Sequence, residues 1–192
     1  MSLSSQYFDD IYRKNKDPWN FEQSDYEREK YSHTLRILPQ ALYSNAFEIG
    51  CSIGVLTQRL ISHCNRLLSV DVSEYPLATA RERLKDAPQV RFQCMNVPHS
   101  FPDEKFDLIV VSEVGYYWSA ENLKKAQEKI VRALLSEGHL LLVHWTPVVK
   151  DYPLTGDEVH DSFENYADVT ETLTRLYHHR GEQYRIDLWE KM

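Results

Sequence analysis

Residues 47–54 read Phe47-Glu48-Ile49-Gly50-Cys51-Ser52-Ile53-Gly54. A short apolar run, Ala46 to Gly50, ends against two glycines, and behind it Ile53, Leu56 and Leu60 recur at helical spacing. That is a strand turning directly into an amphipathic helix. The rhythm repeats downstream: a strand from Leu67 to Asp71 precedes a helix carrying Leu77, Ala80 and Leu84, and a third strand spans Val90 to Met95. Asp107 to Val111 is a near-continuous apolar run of the kind buried on both faces, followed by a helix with Leu123, Ala126, Ile130 and Leu134. Gly138 is expected to close that helical region and open a strand from His139 to Trp145. A helix from Thr155 to about Tyr166 and two β-rich segments, Glu171 to His178 and Gln183 to Glu190, complete the chain. The last two flank Arg180-Gly181 as a closing antiparallel hairpin. Upstream, Tyr31, Leu35 and Leu38 form a helical stripe that Pro39 ends. Strands alternating with helices define an α/β, doubly wound, mostly parallel sheet.

With 192 residues, 42% of them hydrophobic, the chain can bury one sizeable core, and no Pro/Gly/Ser-rich linker divides it. A single domain is expected, with residues 1–40 as a helical cap and 41–192 as the α/β core. A net charge of −7 disfavours a phosphate-tracking surface, so nucleic acid is not the expected partner. No run approaches the roughly 20 apolar residues of a membrane span, and Met1 to Lys14 does not resemble a secretion signal. Cys51, Cys64 and Cys94 are odd in number and lack CxxC spacing, which points to neither a disulfide framework nor a zinc site. A cytoplasmic protein with reduced thiols and no metal is the expectation.

In open parallel sheets ligands bind beyond the carboxyl ends of the strands. Gly50 and Gly54 allow backbone to approach a ligand closely, and Asp71, ending the next strand, sits where a carboxylate accepts both hydroxyls of an adenosine ribose. A dinucleotide fingerprint would need glycines at 50, 52 and 55, whereas the chain has Gly50, Ser52 and Val55. A nicotinamide-dependent oxidoreductase is disfavoured on that ground. Glu48 would repel a phosphate and suits an ammonium. S-adenosylmethionine combines an ammonium, a ribose diol and no phosphate.

The segment Glu48 to Gly54 looks like the first motif of class I S-adenosylmethionine-dependent methyltransferases, and Asp71 matches their ribose acid. Asp17-Pro18-Trp19, Tyr26-Glu27-Arg28-Glu29-Lys30 and Ser112-Glu113-Val114-Gly115-Tyr116-Tyr117 narrow the likeness, as do His144-Trp145 and the stretch from Pro153 through Thr155, Gly156 and Asp157 to His160. Together these resemble the NodS-like nodulation methyltransferases. The resemblance implies a Rossmann-like sheet of seven strands in order 3-2-1-4-5-7-6 with strand 7 antiparallel. It implies a cofactor contact surface of Glu48, Gly50, Cys51, Ser52 and Gly54 in the first loop, with Asp71 and Val72 after the second strand. Asn96 and Val97 would border the adenine, with an amide at 96 where many relatives carry Asp. Sequestering the sulfonium from water would fall to the N-terminal segment, Trp19 covering the cofactor and Arg28 or Lys30 facing its carboxylate.

Methyl transfer needs an aligned, deprotonated acceptor. Glu113, also counted among the cofactor contacts, is the candidate to orient or deprotonate an amine, with Tyr117 and His144 as further catalytic candidates. The resemblance implies the free amine of an amino-sugar oligosaccharide or another small molecule as acceptor, with Tyr116, Tyr117 and Trp145 as flat faces for sugar rings. Blander readings stand beside these. Tyr116 and Tyr117 could be half-buried core aromatics, His144 and His160 hydrogen-bonded structural histidines, Cys51 a space-filling residue, and His178-His179 solvent-facing strand residues. The rival function from another class is a non-catalytic S-adenosylmethionine-binding regulator.

Overall fold

A computed structural model describes residues 1–192. The chain forms two compact units, one of residues 4–96 and one of residues 97–192 together with 1–3. In the first unit lie α1 (Ser5–Lys14), α2 (Asp25–Arg36), β1 (Ala46–Ile49), α3 (Val55–Leu60), β2 (Leu67–Asp71), α4 (Glu74–Arg83) and β3 (Val90–Cys94). The second holds β4 (Phe106–Ser112), α5 (Ala120–Ala133), β5 (Leu134–Trp145), α6 (Gly156–Thr170), β6 (Leu173–Arg180) and β7 (Tyr184–Lys191). The seven strands are ordered β3-β2-β1-β4-β5-β7-β6. β7 runs antiparallel to both β5 and β6, so the strand order expected from the resemblance is the one observed. No helix is long and apolar enough to cross a membrane.

Helix starts follow local chemistry. Ser4, Ser24, Ser73 and Ser119 each accept a backbone N–H of the first turn of α1, α2, α4 and α5. Thr155 and Glu158 form a reciprocal capping box that opens α6. In the first unit, β1 and β2 are buried along their whole length, as a strand covered on both faces must be.

Several boundaries differ from expectation. α1 lies within the expected helical cap of residues 1–40, where the sequence pattern bounds no separate first helix; its buried residues are Phe8 and Tyr12, four apart on one face. α2 stops at Arg36 and buries Glu27, Lys30, Tyr31 and Thr34, leaving Leu35 half-buried. Gly138 does not separate helix from strand. α5 ends at Ala133, β5 already begins at Leu134, and Glu137 and Gly138 sit where the β4–β5 register shifts between Phe106 and Leu108. Two steps on β4 face five on β5 there, and this irregularity, with Glu137 at φ 61°, hides the strand's true start from a pattern of alternation.

Candidate active site

In the first unit the turn after β1 alternates left-handed residues: Gly50 at φ 84°, Ser52 at 49° and Gly54 at 79°. Gly50 and Cys51 both donate their N–H to the Val70 carbonyl, at 2.8 and 3.0 Å, which pins the turn to the end of β2. Gly54 must be glycine on packing grounds as well, since a Cβ there would stand 3.0 Å from Ala80 Cβ of α4. Asp71, at the end of β2, closes the arrangement. Its Oδ2 accepts the Ser52 N–H at 3.0 Å and its Oδ1 the Ser73 N–H at 3.0 Å. Burial pushes the Asp71 carboxyl up to about 6 against the pull of those backbone donors.

Glu48 is buried, and its Oε2 accepts hydroxyl protons from Thr57 at 2.6 Å and Ser69 at 2.7 Å. Burial raises it to about 7, with the two hydroxyls pulling the other way. Cys51 is buried, and its thiol is pushed well up by burial and then by the charges of Glu48 and Asp71, which makes it a packing residue rather than a nucleophile. Val72 is half-buried, with its carbonyl 3.5 Å from Cys94 Sγ, and Asn96 is exposed.

The N-terminal helix reaches this loop through residues that sequence reasoning missed. Tyr12 Oη lies 2.6 Å from Ser52 Oγ, and Ser73 Oγ donates to Asp9 Oδ1 at 2.5 Å. Asp9 and Tyr12, three apart, were the available signal, since i and i+3 share one helix face. Trp19 stands edge-on to Tyr12, with ring centres 5.5 Å apart, and stacks on Phe21 at 5.7 Å. Arg28 is not brought to the loop. It is exposed and pairs with Asp25 on its own helix at 2.7 Å. The buried cation of α2 is Lys30, 2.9 Å from Glu27 and over the Tyr26 ring at 5.2 Å.

In the second unit, Glu113 follows β4 directly and takes a left-handed conformation at φ 56°. Such a conformation in a non-glycine residue costs about 1 kcal/mol or more and persists only where the surroundings hold it. Here its Oε2 accepts from Tyr116 Oη at 2.6 Å and from the Trp145 N–H at 2.9 Å. Tyr116 and Tyr117 are buried, which answers the expectation of open ring faces: Tyr152 stacks on Tyr116, with centres 5.2 Å apart, and receives the Tyr117 hydroxyl at 3.4 Å. Trp145 is half-buried and Val97 buried. His144 is fully buried; its Nε2 faces the Gly115 N–H at 3.0 Å and its Nδ1 lies 3.1 Å from His160 Nε2. His160 Nδ1 in turn is 2.5 Å from Asp187 Oδ2. Asp187, on β7, was not singled out. A charged pair two apart, Arg185 and Asp187, on a strand otherwise apolar at Ile186 and Leu188 was the legible sign of a buried partner. His178 is exposed, as expected, and also bonds Asp187 Oδ1 at 2.6 Å.

A seven-stranded sheet of this order, with a glycine turn after β1 and an acid ending β2, is the architecture of the Rossmann-like methyltransferases. The family model "Nodulation protein S (NodS)" matches residues 8–147, and the chain belongs to that family. It is 34% identical over 128 residues to nodulation protein S of Sinorhizobium fredii, a match covering 66% of this chain and 59% of that relative. The chain thus spans less than two thirds of that relative's length. The N-methyltransferase NodS of Bradyrhizobium japonicum WM9, solved in complex with S-adenosyl-L-homocysteine, superposes with a TM-score of 0.82 at 25% identity, covering 97% of both chains. A putative methyltransferase from Pseudomonas syringae is similar at a TM-score of 0.75 and 34% identity, over 86% of this chain and 99% of that one.

Proposed function

We propose that this protein is an S-adenosylmethionine-dependent N-methyltransferase acting on an amine of a small molecule or amino-sugar oligosaccharide. The observation that carries the reading is the state of Asp71. Each of its oxygens already accepts one backbone N–H, and each keeps acceptor capacity for one further donor, which is what a ribose diol requires. The same turn is unsuited to a dinucleotide. The Ser52 N–H, which could have met a pyrophosphate, is engaged by Asp71, and the buried carboxyls of Glu48 and Asp71 would oppose phosphate charge. The residues therefore fit a phosphate-free adenosyl cofactor, and the Bradyrhizobium relative was solved with the corresponding product.

When bound, S-adenosylmethionine supplies an electrophilic methyl group on a sulfonium. Asp71 would hold the ribose, Gly50 and Ser52 would offer backbone at close approach, Val72, Asn96 and Val97 would border the base, and Trp19 with its aromatic neighbours would exclude water. Lys30 replaces Arg28 as the cation proposed to balance the carboxylate, because it is the buried one. Glu113 would accept a proton from the incoming ammonium and orient the resulting amine, its geometry set by Tyr116 and Trp145. His144 has both ring nitrogens engaged in hydrogen bonds and suits a supporting role better than that of base. Tyr117 would act through its bond to Tyr152 in shaping the acceptor side.

Calorimetry with S-adenosylhomocysteine and with NAD tests the cofactor, and a tritiated-methyl assay over partly deacetylated chitin oligosaccharides and small amines tests the reaction. Binding of the first ligand alone, with turnover lost in Glu113→Gln, is expected. Tight cofactor binding without transfer to any amine would favour a regulatory binding protein instead.

A further inference from the structure

Two sequence motifs that the cofactor chemistry leaves unexplained, His144-Trp145 and the stretch from Pro153 to His160, meet in one buried chain of hydrogen bonds. Its protonation can be read without ambiguity. The Gly115 N–H can only donate, so His144 Nε2, 3.0 Å away, must present a lone pair. The proton of that neutral ring then sits on Nδ1, where it is given to His160 Nε2 at 3.1 Å. His160, an acceptor at Nε2, carries its own proton on Nδ1 and donates it to Asp187 Oδ2 at 2.5 Å. All three side chains are fully buried. Asp187 is anchored independently by Arg185 Nε at 2.8 Å and by His178 at 2.6 Å.

The surrounding packing is built to admit this chain. A Cβ on Gly115 would lie 2.9 Å from His144 Nε2 and 2.6 Å from Val159 Cγ1. A Cβ on Gly156 would lie 2.1 Å from the Trp145 carbonyl oxygen and 3.1 Å from His144 Cβ. Both glycines are therefore required for α6 and the ring to approach the turn that follows Glu113.

We propose that Asp187, His160 and His144 form a tautomer lock, three positioning residues that keep His144 Nε2 as the acceptor of the Gly115 N–H and so hold the left-handed Glu113 and its carboxylate in place. Burial pushes His160 down, against the opposing pull of Asp187, which keeps it the neutral ring that the lock requires. Charge at Asp187 sets the first proton, and each ring passes the constraint to the next. All three are buried and would act through Gly115.

The proposal's kinetic arm rests on the methyltransferase reading, whereas its spectroscopic arm does not. Long-range proton–nitrogen NMR of the full-length protein is expected to show both His144 and His160 neutral and protonated on Nδ1. His160→Phe, which keeps ring volume and removes both nitrogens, should release His144 from that tautomer. It should lower kcat by between about tenfold and about a hundredfold, with S-adenosylhomocysteine affinity unchanged within about twofold. His144→Gln offers Gly115 a carbonyl that needs no tautomer, so adding it to His160→Phe should recover turnover to within about threefold of wild type. Wild-type His144 protonated on Nε2 overturns the lock, even where the His160→Phe protein does not fold. Full kcat in a folded His160→Phe variant, or a double variant no better than the single one, overturns it too. A wild type with no methyl transfer at all but the expected NMR tautomers counts against the reaction and for the lock.

Discussion

Asp71 and Asp187 are both buried strand carboxylates, yet the two units of the chain treat them in opposite ways. Asp71 meets backbone N–H groups, of its own turn and of the loop after β1, and burial lifts it to about 6. Burial lifts Asp187 too, but hydrogen bonds from His160 and His178 and the charge of Arg185 outweigh that and bring it down to about 2. A carboxylate left above its ordinary range is under-solvated and gains from further donors. One held far below that range already has its full complement. The first is what the proposed ribose contact would require, and the second is a finished part of the scaffold.

The sharpest way to break this contrast is to remove each acid in turn and measure stability by urea unfolding. Asp187→Ala leaves Arg185 Nε, His160 and His178 without their acceptor inside the protein. A loss of about 3 to 5 kcal/mol is expected, the range for a buried ionic partner removed on one side. Asp71→Asn should shift stability by less than about 1 kcal/mol, because the amide oxygen still accepts a backbone donor and a buried charge is relieved. Equal losses at the two positions would show that both acids are scaffold.

Affinity should divide the other way. With about 1.5 kcal/mol for each of two charge-assisted hydrogen bonds to a ribose diol, Asp71→Asn is expected to weaken S-adenosylhomocysteine binding about a hundredfold by calorimetry. Asp187→Asn, which preserves shape, should change it by less than about threefold. A wild-type affinity in Asp71→Asn would remove the ribose contact from the proposed function.

Acidity separates the pair further. For Asp71 the folded value lies above the ordinary 3.8, so the ligand-free chain binds more protons than the unfolded one between about pH 4 and about 6. Its stability contribution therefore declines as pH rises through that window. Ligand binding has the opposite sign, because diol donors favour the ionised acid: affinity should climb as pH rises from 5 to 7 and flatten in Asp71→Asn. A residual slope in that variant, centred near 7, would belong to Glu48, which burial raises to about 7. For Asp187 the folded value is depressed, so its contribution is complete above about pH 4 and disappears as pH falls through about 2. Acid titration of the Asp187→Asn variant should lack that loss.

How far each region could be read from the chain follows from the same difference. The partners of Asp71 lie within its own turn or in the loop after β1, and glycines at fixed offsets announce that loop, so Gly50, Gly54 and Asp71 were legible as a group. The strand order was implied once the family likeness of the motifs was seen. Apart from Arg185 on its own strand, Asp187 draws its partners from α6 and β6, and only tertiary pairing brings those together. His144 and His160 were visible as residues, but a hydrogen bond between them leaves no periodic trace. Gly138 misled because an irregular register between β4 and β5 imitates a helix end. The burial of Tyr116 and Tyr117 depends on Tyr152, which sits in a loop with no regular pattern to place it.

Within the first region the expectation named two alternatives, Arg28 or Lys30, and the choice between them yields the smallest effect. Arg28 and Lys30 sit about 200° apart around the same helix, so only one of them can face inward. The structure buries Lys30 against Glu27 and leaves Arg28 in solvent beside Asp25. Arg28→Ala should therefore alter stability by no more than about 0.5 kcal/mol, as for exposed pairs three residues apart, and leave cofactor affinity unchanged. An affinity loss of about tenfold would mean that α2 turns its other face to the ligand when one binds. Lys30 would then be a core residue, and the carboxylate partner proposed above would have to be reassigned to Arg28.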